Sequence, residues 1–330
     1  VEPAPTPSPT ERFRALDGYR VSREWARYEG TAQRELFLEL RLRFLRRHRL
    51  GPGPTVDLGS GPGRFTDALG GADAPKVLVD LSKVALQQAR DRPSDGRRVA
   101  APRHYVVGDA ASAPLDRGVF GTVALFGNVR GFSEDRWERV LESAALLTAT
   151  GGTLLIEAVA GHGEHARYLQ RLPRGAAARS LRAPPTWIDA RIEREGFQPM
   201  DPRKPEHEAT FQRIPPELLG ERLARWGFRT VEVSAVAPTM GTDPERIELA
   251  RKDPKAWAGL LALEERWGAQ PPRWTRAAAF LLAAERTPPG SPELPRPSTV
   301  RASARPSARL AVVPRNRRPG RAGPLGRRRA

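Results

Sequence analysis

The stretch "VDLGSGPGRF", Val56 to Phe65, sets three glycines in five positions directly behind a short apolar run. Short apolar runs then alternate with amphipathic stretches, the pattern of stacked βα units whose strands lie parallel. Candidate strands are Thr55–Leu58, Lys76–Asp80, His104–Val107, Thr122–Phe126 and Thr153–Val159. Helices are expected over Ser82–Arg90 and Glu134–Thr148, the second ended by Gly151 and Gly152. Beyond them a helix from Pro216 to Trp226 precedes the alternating strand Arg229–Val236, and "AAAFLLAAER", Ala277–Arg286, suits a last strand better than a buried helix. The expected fold is α/β: a doubly wound, mostly parallel seven-stranded sheet with a helical N-terminal segment and helical insertions.

The flanks read differently. Residues 1–10 alternate proline with small residues and are expected to be disordered, whereas residues 11–50 carry apolar side chains at helical spacing and form a helical cap. "YEGT" divides that cap at Gly30, with Thr31 as the N-cap of its second helix. Residues 51–286 form the main domain, with insertions over 160–213 and 237–273; within the latter, Asp243–Trp267 reads as helix. Residues 287–330 hold too little apolar surface to offset the entropy of ordering and are expected to be a disordered basic tail.

Charge and cysteine content narrow the functions. The chain of 330 residues carries a net charge of +17, but the 11 arginines and single acid of residues 287–330 supply +10 of it. The remainder is only moderately basic, so nucleic-acid binding through the tail is conceivable but not favoured over a small-molecule partner. Without cysteine there is no disulfide, thiolate metal site or cysteine nucleophile. No apolar run suits a membrane helix and no signal-peptide pattern opens the sequence, which reads as cytoplasmic with no membrane partner.

Glycine loops of this kind approach phosphates, dinucleotides or S-adenosylmethionine. Here Gly59, Gly61 and Gly63 are spaced G-x-G-x-G, and Arg64 stands where a dinucleotide fingerprint has its third glycine. No Gly-Lys-Ser/Thr follows, which excludes a P-loop. The stretch resembles the first motif of the class I, Rossmann-like S-adenosylmethionine-dependent methyltransferases. Asp80 in "VLVDLSKVALQQAR", Asp109 in "YVVGDAASAPL" and the strand entry "GGTLLIEAV" extend the resemblance from about Pro54 to Val159.

That resemblance implies S-adenosyl-L-methionine as cofactor, bound by Asp57, Gly59, Ser60, Gly61, Gly63, Asp80, Leu81, Asp109, Ala110, Phe126 and Asn128. Asp57 would lie beneath the methionyl amino group, Asp80 would accept from the ribose hydroxyls, and Asp109 with the Ala110 amide would hold the adenine. A helix opening at Arg64 or Phe65 would offer free amides to the methionyl carboxylate. Each aspartate also has a plain structural reading, as a loop partner, a helix cap or a turn residue.

The methyl acceptor is less constrained. The fourth strand ends in "LFGNVRGF", which lacks the Asn/Asp-Pro-Pro-aromatic run of family members that methylate DNA bases or glutamine and resembles small-molecule N-methyltransferases. Base methylation through a cysteine adduct is impossible here, and a magnesium site lacks an acid at the strand tip. His162, His165 and Tyr168 in "GHGEHARY" are candidate catalytic residues, as bases or hydrogen-bonding groups, and no metal site is expected of them. Trp25, Arg27 and Tyr28 are candidates for a lid. The expected activity is methyl transfer to a small-molecule nitrogen or oxygen. An RNA- or protein-directed methyltransferase, a nicotinamide dehydrogenase and a catalytically silent binding domain are the alternatives.

Overall fold

The computed structural model describes residues 28–48, 53–71, 73–92, 101–127, 134–159, 197–198, 211–212, 214–239, 243–271, 277 and 279–288. His162, His165, Tyr168, Asn128, Trp25 and Arg27 lie outside them, as does the separate unit Ser291–Ala330.

A seven-stranded sheet organises the chain. Its strands are β1 (Thr55–Leu58), β2 (Lys76–Asp80), β3 (Arg103–Val107), β4 (Phe120–Leu125), β5 (Thr148–Val159), β8 (Phe228–Ala235) and β9 (Ala279–Arg286), in the order β3-β2-β1-β4-β5-β9-β8. The pairs among β1 to β5 are parallel, whereas β9 runs antiparallel to both β5 and β8. Within one insertion, the two-residue strands β6 (Phe197–Gln198) and β7 (Phe211–Gln212) pair antiparallel. The expected doubly wound sheet is therefore present, and the last apolar run is its antiparallel strand.

Helices cover both faces. On one, Trp137 and Leu141 of α3 (Glu134–Leu147) and Leu219 and Leu223 of α4 (Pro216–Ala224) pack on Val123, Leu125, Leu154, Ile156 and Leu282. On the other, Leu36, Leu40 and Phe44 of α1 (Ala32–Arg47), Ile247 of α5 (Pro244–Arg251) and Leu260 and Leu261 of α6 (Pro254–Gly268) meet Ala124, Leu155, Leu281 and Ala283. Full burial of each such Leu or Phe contributes roughly 1.5–3 kcal/mol. The helix α2 (Lys83–Asp91) backs β2 and β3, with Leu86 and Ala89 against Leu78.

Local chemistry explains the boundaries. The Thr31 hydroxyl accepts from the Arg34 amide and opens α1, while Gly30 before it sits at φ +86°. The single helix expected over Asp243–Trp267 is two: Pro254 has no N–H to continue α5, and the Asp253 carboxylate accepts from the Lys255 and Ala256 amides to start α6. Nor do Gly151 and Gly152 end α3. The helix stops at Leu147 and Thr148 already pairs with Phe120 of β4, so the glycines lie inside β5, where a Cβ on Gly152 would come within 3.0 Å of the Phe120 carbonyl.

Candidate cofactor site

Strand order reverses between β2 and β4 on either side of β1, so the loop after β1 leaves the sheet at its topological switch point, where open α/β sheets bind ligands. Gly59, Gly61 and Gly63 all take positive φ, at 71°, 52° and 76°. A Cβ on Gly63 would approach Leu78 Cδ2 to 3.1 Å and the Ala89 methyl to 3.3 Å, so that glycine lets the loop close on β2 and α2. A Cβ on Gly61 would meet nothing within 4 Å. The loop thus packs inward at Gly63 and leaves a bare backbone facing outward at Gly61, which fits a ligand pressed against the chain.

Strand β2 holds the loop in place. The Gly59 and Ser60 amides donate to the Val79 carbonyl at 2.7 and 3.1 Å, and the Gly61 amide donates to Asp80 Oδ2 at 2.7 Å. Asp80 Oδ1 accepts from the Ser82 amide at 2.8 Å, and Ser82 caps α2 by accepting from the Ala85 amide. Asp80 is therefore both a structural clamp and, with the further lone pairs of its carboxylate, a possible acceptor for hydroxyls above it. Leu81 follows it, half-buried. The Gly108 amide donates to the Asp80 carbonyl, which brings Asp109 and Ala110 beside the β2 end; Asp109 is half-buried and its Oδ1 accepts from the Ala111 amide, capping a short turn. The cap and turn readings of Asp80, Ser82 and Asp109 are thus realised in the structure alongside their place around the loop.

The helix expected at Arg64 or Phe65 does not form. Only a single 3₁₀ turn, Thr66–Ala68, follows the loop, because Gly70 and Gly71 close the segment too soon for an α-helix to propagate. Within the loop itself, the Gly59, Ser60 and Gly61 amides donate to β2 and the Gly63 amide donates to the Ser60 carbonyl. In place of a helix, the buried Lys76 ammonium donates to the Leu69 carbonyl at 2.7 Å and to those of Thr66 and Asp67 at 3.3 and 3.4 Å.

Asp57 lies beneath this turn, 2% exposed, and its Oδ2 accepts from the Thr66 hydroxyl at 2.7 Å. Burial pushes its carboxyl up to about 7, with the charge of Asp80 adding to the effect and the Thr66 hydroxyl and Lys76 charge opposing it. Phe126, which follows β4, is buried and packs with its ring tilted against Phe65 at 5.5 Å, and Phe65 in turn meets Tyr28 edge-on at 5.8 Å. Of the expected cofactor residues, all those within the described part therefore gather at the carboxyl ends of β1 to β4.

Sequence reasoning missed a buried ion pair beside them. Glu157 of β5 accepts from Arg41 of α1 at 2.5 Å, each residue 3% exposed, and the one charge in the apolar run "LLIEAV" was the signal for it. Two grooves of about 360 and 560 Å³ lie on the outer surface of α1, α5 and α6, beside Trp257 and Leu249. They do not touch the glycine loop, where the polar groups converge.

The sheet order and the glycine loop at its switch point give the fold of the class I S-adenosylmethionine-dependent methyltransferases. Residues 55–152, from β1 into the first part of β5, match the family model of the methyltransferase domain, and this part of the chain is a methyltransferase domain. No curated protein matches it by sequence. Among solved structures, it is similar to magnesium protoporphyrin IX methyltransferase from Synechocystis PCC 6803. With bound S-adenosylhomocysteine that structure gives a TM-score of 0.52 at 13% identity, covering 85% of this chain and 100% of the other. With bound S-adenosylmethionine it gives 0.50 at 12%, covering 86% and 100%. A Thermotoga maritima methyltransferase, described as a "possible histamine N-methyltransferase", gives 0.50 at 16%, covering 85% and 100%. At these identities the likeness speaks for the fold.

Proposed function

We propose that the chain transfers a methyl group to a nitrogen or oxygen of a small molecule. The observation that carries this reading is the exit of β4 through Phe126, Gly127 and Asn128, where the Asn/Asp-Pro-Pro-aromatic run suited to bases and glutamine is replaced by a buried aromatic and a glycine at φ +71°. The Thermotoga and Synechocystis proteins, whose names point to small acceptors, agree with it.

S-adenosylmethionine supplies a methyl group on a sulfonium, reactive toward in-line displacement by a nucleophile. The task of this chain is therefore alignment and exclusion of water, a source worth roughly 7–11 kcal/mol. In this reading the Gly59–Gly63 loop and Asp57 hold the methionyl end, Asp80 the ribose, and Asp109 and Ala110 the adenine. Phe126 and Phe65 wall the sheet side with apolar surface. His162, His165 and Tyr168 follow β5 and would meet the acceptor, where a histidine takes a proton if the acceptor must lose one.

The test incubates the full chain with S-adenosylmethionine labelled in its methyl group and cell extract, then fractionates the products. Label is expected among small molecules. Its accumulation in RNA or protein instead, lost when residues 291–330 are deleted, would favour the tail-tethered alternative. The truncation falls after Gly290 because the Thr287 amide and hydroxyl both donate to the Gly227 carbonyl and belong to the folded sheet.

A further inference from the structure

The glycine loop is held by β2 on one side, and a chain of side chains from the N-terminal cap meets it on the other. Tyr28, just before α1, is 4% exposed. Its ring has the Arg41 guanidinium 5.5 Å from its centroid and the Arg64 guanidinium at the same distance. Arg64 immediately follows Gly63, and its Nη2 donates to Glu29 Oε1 at 3.2 Å. Tyr28 also meets Phe65, the next loop residue, edge-on. Two consecutive residues of the cap thus touch two consecutive residues of the loop.

Arg41 fixes this contact to the sheet. Its Nη1 donates to the Phe37 carbonyl of its own helix at 2.8 Å, while its Nη2 donates to Glu157 Oε1 on β5. The register sets Asp57, Ala124 and Leu155 side by side, so Phe126 and Glu157, two residues further along β4 and β5, form the next row on the same face, level with Gly59. From Glu157 through Arg41, Tyr28 and Phe65 to Phe126, the contacts span the carboxyl edge of the sheet from β5 to the loop.

A buried ion pair adds little stability over an apolar pair of similar volume, so stability alone does not account for it. What it adds is direction, because a guanidinium bound at Nη1 and Nη2 presents a fixed face. We propose that Arg41, oriented by Glu157, is a positioning residue for the cofactor loop and acts by clamping Tyr28 against Arg64 and Phe65. The proposal rests on the cofactor reading of the loop, but the order of the loop can be measured without any ligand.

The experiment compares wild type, R41M/E157L, Tyr28→Ala and Tyr28→Phe in the full chain. Amide hydrogen exchange is followed in the ligand-free protein, and S-adenosylhomocysteine is titrated by calorimetry. R41M/E157L keeps an apolar pair in the core and should melt near wild type, yet exchange at Gly59, Ser60, Gly61 and Gly63 should quicken about tenfold and affinity fall by a similar factor, the scale of one cation–π contact. Tyr28→Ala should do the same and Tyr28→Phe should restore both, since the ring carries the contact. Loop exchange at the wild-type rate in R41M/E157L and Tyr28→Ala would overturn the proposal, as would a rise spread evenly over the sheet. Should the double variant fail to fold, the two Tyr28 variants still decide. If wild type binds no S-adenosylhomocysteine, the cofactor assignment fails while loop exchange still tests the clamp.

Discussion

Burial holds the Asp57 carboxyl well above the usual carboxylate range, and this has two measurable consequences. The folded chain holds its proton up to about pH 7, whereas an unfolded aspartate releases it near 4. Its contribution to stability is therefore fully present below pH 4 and is lost as pH rises through 7, on the order of 4 kcal/mol at 1.36 kcal/mol per unit. Thermal melts of wild type and Asp57→Asn across pH 4 to 8 should diverge accordingly, the variant gaining relative stability toward alkaline pH. Parallel curves would remove Asp57 from this account. If the carboxylate faces the methionyl ammonium, affinity for S-adenosylmethionine should in addition rise as pH passes 7. Gly63 tests the backbone. Gly63→Ala places a methyl at positive φ against Leu78 and Ala89 and should cost about 1–3 kcal/mol, whereas Gly61→Ala, with open space around it, should cost about 1 kcal/mol and show its main effect as weaker cofactor binding.

Among the elements, the turn after β8 joins the sheet to the α5–α6 insertion and depends on one buried side chain. Glu264 of α6 is fully buried and accepts from the Thr239 hydroxyl at 2.7 Å and from its amide at 3.0 Å, while Ala237 nearby sits at φ +49°, a conformation alanine rarely adopts. Glu264→Ala removes two acceptors and should destabilise the chain by about 2–4 kcal/mol in denaturant titrations, with hydrogen exchange rising first at α5 and α6. A loss under 0.5 kcal/mol would show that the turn is held by other contacts. The strands were the legible part of the sequence: β1 and β2 begin and end where their apolar runs do, and β8 follows from its alternation. The failures have two causes: Gly70, Gly71 and Pro254 cut helices short by local geometry, whereas pairing with Phe120 of β4 drew Thr148 into β5. That Asp57, Asp80 and Asp109 surround the glycine loop was legible from motif spacing. The Arg41–Glu157 pair, 116 residues apart, becomes visible only when α1 lies across β5.

Over the whole molecule, the sheet places every described residue expected to hold the cofactor at one edge, and α1, α5 and α6 close the face on which Phe126 and Glu157 stand. An ion-pair series from Glu39 through Arg43, Glu265 and Arg47 to Glu232, which also meets the His48 ring, ties α1 to α6 and β8 in one layer. Among the described residues, no helix is long and apolar enough to cross a membrane. The central claim is that the loop after β1, with Asp57, Asp80 and Asp109 around it, is shaped for an adenosyl sulfonium and not for a dinucleotide. Calorimetric titration of the full chain with S-adenosylmethionine and, separately, with NAD tests it most directly. The account predicts one-to-one binding of S-adenosylmethionine, weakened at least tenfold by Asp80→Ala, and no heat from NAD; saturable binding of NAD with none of S-adenosylmethionine would contradict it.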